Sequence, residues 1–303
     1  MRLYLNNGFL DQESILNEAK RNGCAFIIEI GARQVGKTFG TLQLMLKKKD
    51  PFILMRRTQT ESDFLTNGTV NPFHPIDSNV FIKKETKYTG GIFSGDDESR
   101  IGLTMALSTV AKIRGFYGGD YKYLVYDEFI PEAHIVKIKN EGEAFLNALI
   151  TINGNREISG KDPLITFLLA NSNNIASPVL EALKITEKIE SMIAKDQEYS
   201  ILPERGIMII LPKSEQIIEQ RKNDSITRAI GSDNKFSEMA YNNKFSYNDN
   251  ENVVVKPLRE YKILFSVRGR FSVYKHKSKD LLYIDEFKNW LFNYHIELMF
   301  IIG

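Results

Sequence analysis

Three groups of residues in this 303-residue chain have the types and spacing that phosphate chemistry needs. The first is GARQVGKT, residues 31–38, which fits the pattern G-x-x-x-x-G-K-[ST] in full. The glycines let backbone N–H groups turn inward around a β-phosphate, Lys37 can neutralise the β and γ oxygens, and the Thr38 hydroxyl can bind Mg²⁺. We predict that a nucleotide contacts the whole loop: Gly31, Ala32, Arg33, Gln34, Val35, Gly36, Lys37 and Thr38.

The second group is an acidic pair, Asp127 and Glu128, at the end of the apolar segment LVYDE. The first acid at such a strand end can hold Mg²⁺, and the second can orient and deprotonate an attacking water. This pair follows the loop by about ninety residues and favours hydrolysis over phosphoryl transfer to a small molecule. Because the chain lacks the NKxD sequence that guanine binding needs, we expect ATP and Mg²⁺ as ligands.

A polar residue at the tip of the next strand, LLANSNN, could contact the γ-phosphate or the attacking water. Asn171 is the candidate, with Asn173 and Asn174 as alternatives. These asparagines could instead start a turn or cap the helix that begins near Ser177.

Two arginines could neutralise charge in the transition state. Arg156 follows the helix after the acidic pair, a region that commonly faces a neighbouring subunit in ring ATPases, so it could act on the next subunit's site. Arg33, within the loop, could do the same in its own site. An exposed arginine before a turn is the alternative interpretation of Arg156.

The third group is basic. Residues 256–279 hold eight Lys or Arg residues and one acid, Glu260, interleaved with aromatic residues at strand-like spacing. This pattern indicates a local polyanion-binding face, although a solvated charged face is an alternative. The candidates for nucleic-acid contact here are Arg268, Arg270, Lys275 and Lys277, and Lys137 and Lys139 lie where loops of a ring ATPase would line a central pore.

Alternating apolar runs and amphipathic stretches must position these residues. The sequence predicts buried strands at 25–30, 51–57, 121–129, 163–174 and 205–212, and helices at 38–48, 141–152 and 177–195. The pattern of residues 80–107, with its Gly-Gly turn, predicts antiparallel strands that leave the main sheet. The fold class is α/β: a P-loop NTPase of the additional-strand, catalytic-glutamate type, whose parallel sheet carries helices on both faces.

Composition bounds the chain further. The hydrophobic fraction is 43%, the charged fraction 26% and the net charge only +2, so any nucleic-acid surface must be local. One cysteine, Cys24, excludes a disulfide framework, and neither a signal peptide nor a membrane-spanning run is present, so we expect a cytosolic protein. We divide the chain into an ATPase domain at 1–204, a linker or lid at 205–252 and a small basic β-rich domain at 253–303. The linker or lid begins with the strand predicted at 205–212.

The order of the motifs resembles the DNA-packaging ATPases of small tailed phages, the phi29-like motors related to large terminases. GARQVGKT, FILMRRT, KIRGFYGGDYKYLVYDEFI, LNALITINGNRE and LLANSNN carry the resemblance over about residues 25–175. It implies a homo-oligomeric ring, a pentamer, docked on the portal of a procapsid in the host cytoplasm and driving double-stranded DNA inward with ATP. Whether a structural RNA takes part is left open.

The same resemblance assigns roles to single residues. It makes Lys37 and Thr38 the phosphate and metal residues, Asp127 the magnesium acid, Glu128 the base and Arg156 the arginine finger in trans. FILMRRT suggests that Arg56 or Arg57 lies near the nucleotide or the subunit boundary.

Large terminases also carry a ribonuclease-H-like nuclease at the C-terminus. The strand sequence YKILFSVRGR lacks the central acid that such a nuclease needs, so we expect a degenerate, nuclease-dead domain here. A helicase, a plasmid-transfer translocase and a nucleotide-gated nucleic-acid clamp are the competing functional interpretations.

Overall fold

The computed structural model describes residues 1–221, except 69, 96, 114, 115, 117, 133, 134, 136, 172–174 and 176, and also 225, 229, 258–267 and 271–286. Asn173, Asn174, Arg268, Arg270 and the segment 231–252 lie outside the described residues. By its contacts the chain divides into two compact units, Met1–Asn248 and Asp249–Gly303. The proposed division at 204 and 252 stays a prediction.

The first unit alternates helices and strands. Its helices are α1 (Gln12–Arg21), α2 (Lys37–Lys48), α3 (Gln59–Thr66), α4 (Glu141–Asn153), α5 (Pro178–Ala182), α6 (Thr186–Ala194) and α7 (Glu215–Arg221). Its strands are β1 (Phe26–Gly31), β2 (Phe52–Arg56), β3 (Phe81–Lys84), β4 (Thr89–Phe93), β5 (Arg100–Ala106), β6 (Tyr123–Asp127), β7 (Ile165–Asn171), β8 (Tyr199–Leu202) and β9 (Ile207–Ile210). None of the helices that the structure describes is long and apolar enough to cross a bilayer.

One nine-stranded sheet organises this unit, in the order β3-β4-β5-β2-β6-β7-β1-β9-β8. The six central strands from β5 to β9 run parallel, and β3, β4 and β8 complete the edges in antiparallel pairing. The predicted parallel sheet is therefore confirmed. Because parallel strands end at one edge, the last residues of β1, β2, β6 and β7 meet there, namely Gly31, Arg56, Asp127 and Asn171.

Apolar side chains fill both faces of the sheet. On one face Phe145 of α4 and Val179 of α5 belong to the same core as Ile28 and Ile30 of β1. On the other, Leu16 of α1 belongs to the core that contains Ile27. Successive strand residues point to opposite faces, so continuous runs such as FIIEI bury both sides, as expected for a parallel sheet covered by helices.

Two predicted elements differ from the structure. Residues 80–107 do not leave the sheet, because β5 pairs in parallel with β2 and carries β4 and β3 as its edge. The single helix predicted at 177–195 is two helices, α5 and α6, since Lys184 has a left-handed backbone with φ of 52°. The carbonyls of Leu183 and Lys184 accept hydrogen bonds from the Arg205 guanidinium, a contact that helical periodicity cannot reveal.

The second unit contains an antiparallel sheet of β10 (Tyr261–Val267), β11 (Phe271–His276) and β12 (Leu282–Glu286), in that order. This confirms the small β-rich module. Among the described residues no group of three His, Cys, Asp or Glu side chains could hold a metal ion. The degenerate ribonuclease-H-like assignment stays a prediction.

Candidate nucleotide-binding and catalytic site

The loop GARQVGKT joins β1 to α2 in the strand-loop-helix context that the motif requires. Gly36 caps α2 with φ of 89°, where a Cβ would also lie 3.2 Å from the Phe9 ring. Only glycine fits both restrictions. The amino end of α2 and the N–H groups before it form a positive concavity suited to a phosphate.

Lys37 lies in this concavity with only 7% of its surface exposed. Its Nζ donates to the carbonyls of Gly31 at 3.0 Å and Ala32 at 2.6 Å. Burial lowers the pKa of Lys37 to about 8, an effect that Glu29 and Asp127 oppose and Arg33 and Arg221 increase. A buried cation with few compensating charges favours an incoming anion.

Thr38 and Asp127 approach each other across the loop. The Thr38 hydroxyl donates to Oδ1 of Asp127 at 2.8 Å, although 89 residues separate them in sequence. Asp127 ends β6, and its side chain is buried. A hydroxyl and a carboxylate are the hard oxygen donors that Mg²⁺ prefers, so the residues present fit the predicted ion.

Glu128 follows directly, with a left-handed φ of 55° and a side chain that is 55% exposed. Arg56, at the end of β2, bridges the acids: Nη1 donates to Asp127 Oδ2 at 2.6 Å and Nη2 to Glu128 Oε2. Desolvation raises the pKa of Glu128, Arg56 opposes the rise and Asp127 adds to it. The arrangement keeps two adjacent carboxylates together by placing a cation between them.

The two neighbouring arginines of FILMRRT therefore have different positions. Arg56 lies at the acidic pair, whereas the Arg57 side chain is 1% exposed and pairs with Glu141 at the start of α4. Arg57 Nε donates to Glu141 Oε1 at 2.6 Å and Nη2 to Oε2 at 2.9 Å. This buried two-point pair fixes the end of β2 to α4 rather than contacting the nucleotide site.

Arg33 and Asn171 lie at the same edge of the sheet as the loop. The Arg33 guanidinium pairs with Glu132 in the segment after the acidic pair, and both side chains are partly exposed. Asn171 ends β7 as the Cα partner of Gly31. The structure thus brings both predicted residues to the site's edge, while their catalytic roles stay predictions.

Arg156 lies away from the edge of the sheet that carries the phosphate loop. Its side chain is buried, and its guanidinium donates to the carbonyls of Gly119, Tyr121 and Asp162. Tyr121 precedes the first residue of β6, so Arg156 lies at the amino edge of the sheet, opposite Asp127. The guanidinium joins segments of its own chain, so a role in trans would require it to leave these acceptors. The assignment of Arg156 as an arginine finger in trans stays a prediction.

The described basic candidates are exposed. Lys137 and Lys139 lie between the acidic pair and α4, Lys275 lies in β11 and Lys277 follows that strand. Lys275 lies opposite Lys262 of β10, and Lys277 Nζ donates to the Arg259 carbonyl at 2.7 Å. Nucleic-acid contact by these four lysines stays a prediction.

Sequence reasoning missed two contributors to the loop's surroundings. One is α7, whose Arg221 donates to Arg33 O at 2.9 Å and to Gln34. The other is the N-terminal strap, residues 4–10, where Leu10 N donates to Val35 O at 3.1 Å. Neither carries a recognisable motif, because both reach the loop through tertiary contacts, largely with its backbone carbonyls.

Solved structures of phage packaging proteins have a similar fold. The solved N-terminal domain of the DNA packaging ATPase from bacteriophage phi29 matches with a TM-score of 0.52 and 20% identity, over 68% of this chain and 97% of that one. The Phi-28 gp11 DNA packaging motor matches with a TM-score of 0.57 and 19% identity, over 92% and 79% of the two chains. The bacteriophage Phi-29 viral genome packaging motor assembly gives 0.58 and 19%, over 96% and 82%.

The sequence identities to these solved structures are low, so the matches establish the fold alone. No curated protein sequence matches the chain significantly. A family model described as Podovirus DNA encapsidation protein (Gp16) matches residues 6–297, nearly the whole chain, and confirms the resemblance to phi29-like packaging ATPases. The chain belongs to the Podovirus DNA encapsidation protein (Gp16) family.

Proposed function

We propose that this chain hydrolyses ATP with Mg²⁺ and uses the energy to move double-stranded DNA into a viral procapsid. The observation that carries the proposal is the convergence of Lys37, the Thr38–Asp127 contact and Glu128 at one edge of the sheet. Membership in a DNA encapsidation family supports the coupling of this site to DNA.

The chain's own residues would divide the chemistry as follows. The loop N–H groups and Lys37 bind the phosphates, while Thr38 and Asp127 hold Mg²⁺, which neutralises phosphate charge when bound. Glu128 accepts the proton of the attacking water, and its raised pKa brings its basicity closer to neutral pH. Arg33 neutralises transition-state charge in its own site, and Asn171 contacts the γ-phosphate or the water.

Assembly is the second part of the proposal. The chain works as a homo-oligomeric ring, a pentamer, at the portal of a procapsid in the host cytoplasm. Lys137 and Lys139 face the DNA in the ring's centre, and the basic module binds DNA or the portal. The solved packaging motors with the same fold support this arrangement.

Replacing Glu128 tests the catalytic proposal. Glu128→Gln should bind ATP as the unchanged protein does and lose hydrolysis by about 10²-fold or more, because the amide orients water but cannot accept its proton. Glu143→Gln, an exposed acid on α4, is the matched control and should keep full turnover. Turnover of Glu128→Gln within a few-fold of the unchanged protein would contradict the role of Glu128.

Nucleic-acid substrates separate the competing functions. A translocase should show ATP turnover stimulated by duplex DNA without strand displacement on a forked duplex, whereas a helicase would displace the strand. A nucleotide-gated clamp would show neither fast turnover nor stimulation. Closed rings on DNA with a non-hydrolysable ATP analogue, seen by electron microscopy, would support the ring.

A further inference from the structure

Arg221, on α7, binds the carbonyl side of the phosphate loop. Its Nη1 donates to Arg33 O at 2.9 Å, and its Nη2 donates to Gln34 O at 3.5 Å and to Gln34 Oε1. A loop that points its N–H groups at an anion turns its carbonyls outward. Arg221 therefore holds the loop from behind, on the side away from the phosphates.

The residue that Arg221 contacts most is under conformational strain. Gln34 has φ of 59°, a left-handed backbone that a residue with a side chain rarely adopts. Such a conformation persists only when its surroundings determine it. Arg221 bonds both the backbone carbonyl and the side-chain amide oxygen of Gln34, so it restrains this residue at two points.

The start of α7 is fixed to the N-terminal strap. Ser214 Oγ donates to the Gly8 carbonyl of the N-terminal strap at 2.7 Å and accepts from Ile217 N at 3.3 Å. Gly8 has φ of +85°, and a Cβ there would lie 3.0 Å from Ser214 Oγ. Since Leu10 of the strap bonds Val35, strap, α7 and loop form a closed circuit of contacts.

The charge of Arg221 also reaches the site. Arg221 is among the groups that lower the pKa of the buried Lys37 ammonium. Its guanidinium therefore adds to the positive potential that attracts a triphosphate.

We infer that Arg221 is a positioning residue for ATP: from outside the loop it holds Gln34 in the left-handed conformation that aims the loop N–H groups at the phosphates. This inference rests on the proposed function of the site. Arg221 lies on α7, outside the sheet, and acts on ATP binding through the loop without contacting the substrate.

Titration with a fluorescent ATP analogue in the presence of Mg²⁺ tests the inference on the full chain. Arg221→Ala should weaken binding by about tenfold or more, the effect of losing a charge-assisted hydrogen bond. Its kcat at saturating ATP should stay within about threefold, because Arg221 contacts no reacting atom. Arg21→Ala is the matched control: it also removes a helical arginine, but one that lies on the surface away from the loop, and it should bind as the unchanged protein does.

A double-mutant comparison separates positioning from a simple charge effect. Glycine adopts a positive φ without cost, so in a Gln34→Gly background Arg221→Ala should weaken binding by less than about threefold. A Gln34→Ala background keeps the strain and removes only the side-chain contact, so Arg221→Ala should still weaken binding by more than about threefold, through the carbonyls of Arg33 and Gln34. Arg221→Lys keeps the charge without the fork that spans several acceptors and should regain only part of the loss.

Several results would overturn the inference. They are unchanged ATP affinity in a folded Arg221→Ala protein, equal losses in the glycine and alanine backgrounds, or full rescue by Arg221→Lys. Circular dichroism and thermal melting establish folding, and Arg221→Gln replaces Arg221→Ala in each comparison if the alanine variant does not fold. The proposed function fails separately, if the unchanged protein neither binds nor hydrolyses ATP.

Discussion

At the scale of single residues, Glu29 shows how the buried surroundings of the loop affect stability. It lies on β1 with no exposed surface, and Gln12 Nε2 donates to its Oε2 at 2.9 Å. Burial raises the pKa of Glu29 to about 7 from 4.5, although the Gln12 hydrogen bond and Lys37 act in the opposite direction. Between these two pH values the folded chain holds a proton that the unfolded chain has released.

Stability should therefore fall as pH rises from about 4.5 to about 7. At 1.36 kcal/mol per pKa unit, the loss is on the order of 3 kcal/mol. Glu29→Gln keeps the side-chain shape and removes the titrating proton, so this part of the pH dependence should disappear. Urea unfolding of both proteins at pH 5 and pH 8 measures it; an equal stability difference between them at the two pH values would contradict the prediction.

At the scale of elements, the Arg57–Glu141 pair joins the end of β2 to the start of α4. Both side chains are at most 2% exposed, so removing one partner leaves a buried charge without its counter-ion. Arg57→Met alone should cost about 3–5 kcal/mol, whereas Arg57→Met with Glu141→Leu should recover most of that loss. A double-mutant cycle in urea measures the coupling, and additive losses would show that the pair contributes no joint stabilisation.

Arg156 poses a related question, because its three carbonyl acceptors lie in the segments before β6 and after α4. Arg156→Ala should destabilise the chain by about 2–4 kcal/mol, since buried carbonyls lose charged donors. Thermal melting checks this. Mixing with Glu128→Gln subunits, which keep Arg156, should not restore ATP turnover to Arg156→Ala subunits; rescue would instead support the arginine finger in trans.

The sequence predicted local parts of the site better than contacts between elements. The loop, the acidic pair and their strands are contiguous motifs, so hydrophobic pattern and spacing sufficed to place Lys37 and Asp127 at one edge. The bridge from Arg56 depends on β2 pairing with β6, and the burial of Arg156 depends on how the segment after α4 packs. Such pairings are tertiary, and residue order alone does not determine them.

At the scale of the whole molecule, a small net charge coexists with a local excess of basic residues. The chain carries only +2, yet the described residues of the second unit include a run of exposed lysines in and after β11. Lys275 is 53% exposed, and its Nζ lies 3.7 Å from Asp280, a distance at which surface pairing is weak. This module can therefore contribute to binding a polyanion while the overall charge stays near neutral.

The salt dependence of DNA binding tests that contribution. Each ammonium group that neutralises a phosphate releases counter-ions, so log affinity falls with log salt by about 0.9 per contact on duplex DNA. Lys275→Ala with Lys277→Ala should flatten the slope by up to about 2 and weaken binding most at low salt. Lys47→Ala with Lys195→Ala removes the same charge from exposed positions in the first unit and should leave the slope unchanged. If both pairs flatten the slope equally, the effect reflects net charge. If neither does, Lys275 and Lys277 serve a protein partner or the fold, and DNA contact must come from the other candidates, Lys137, Lys139, Arg268 and Arg270.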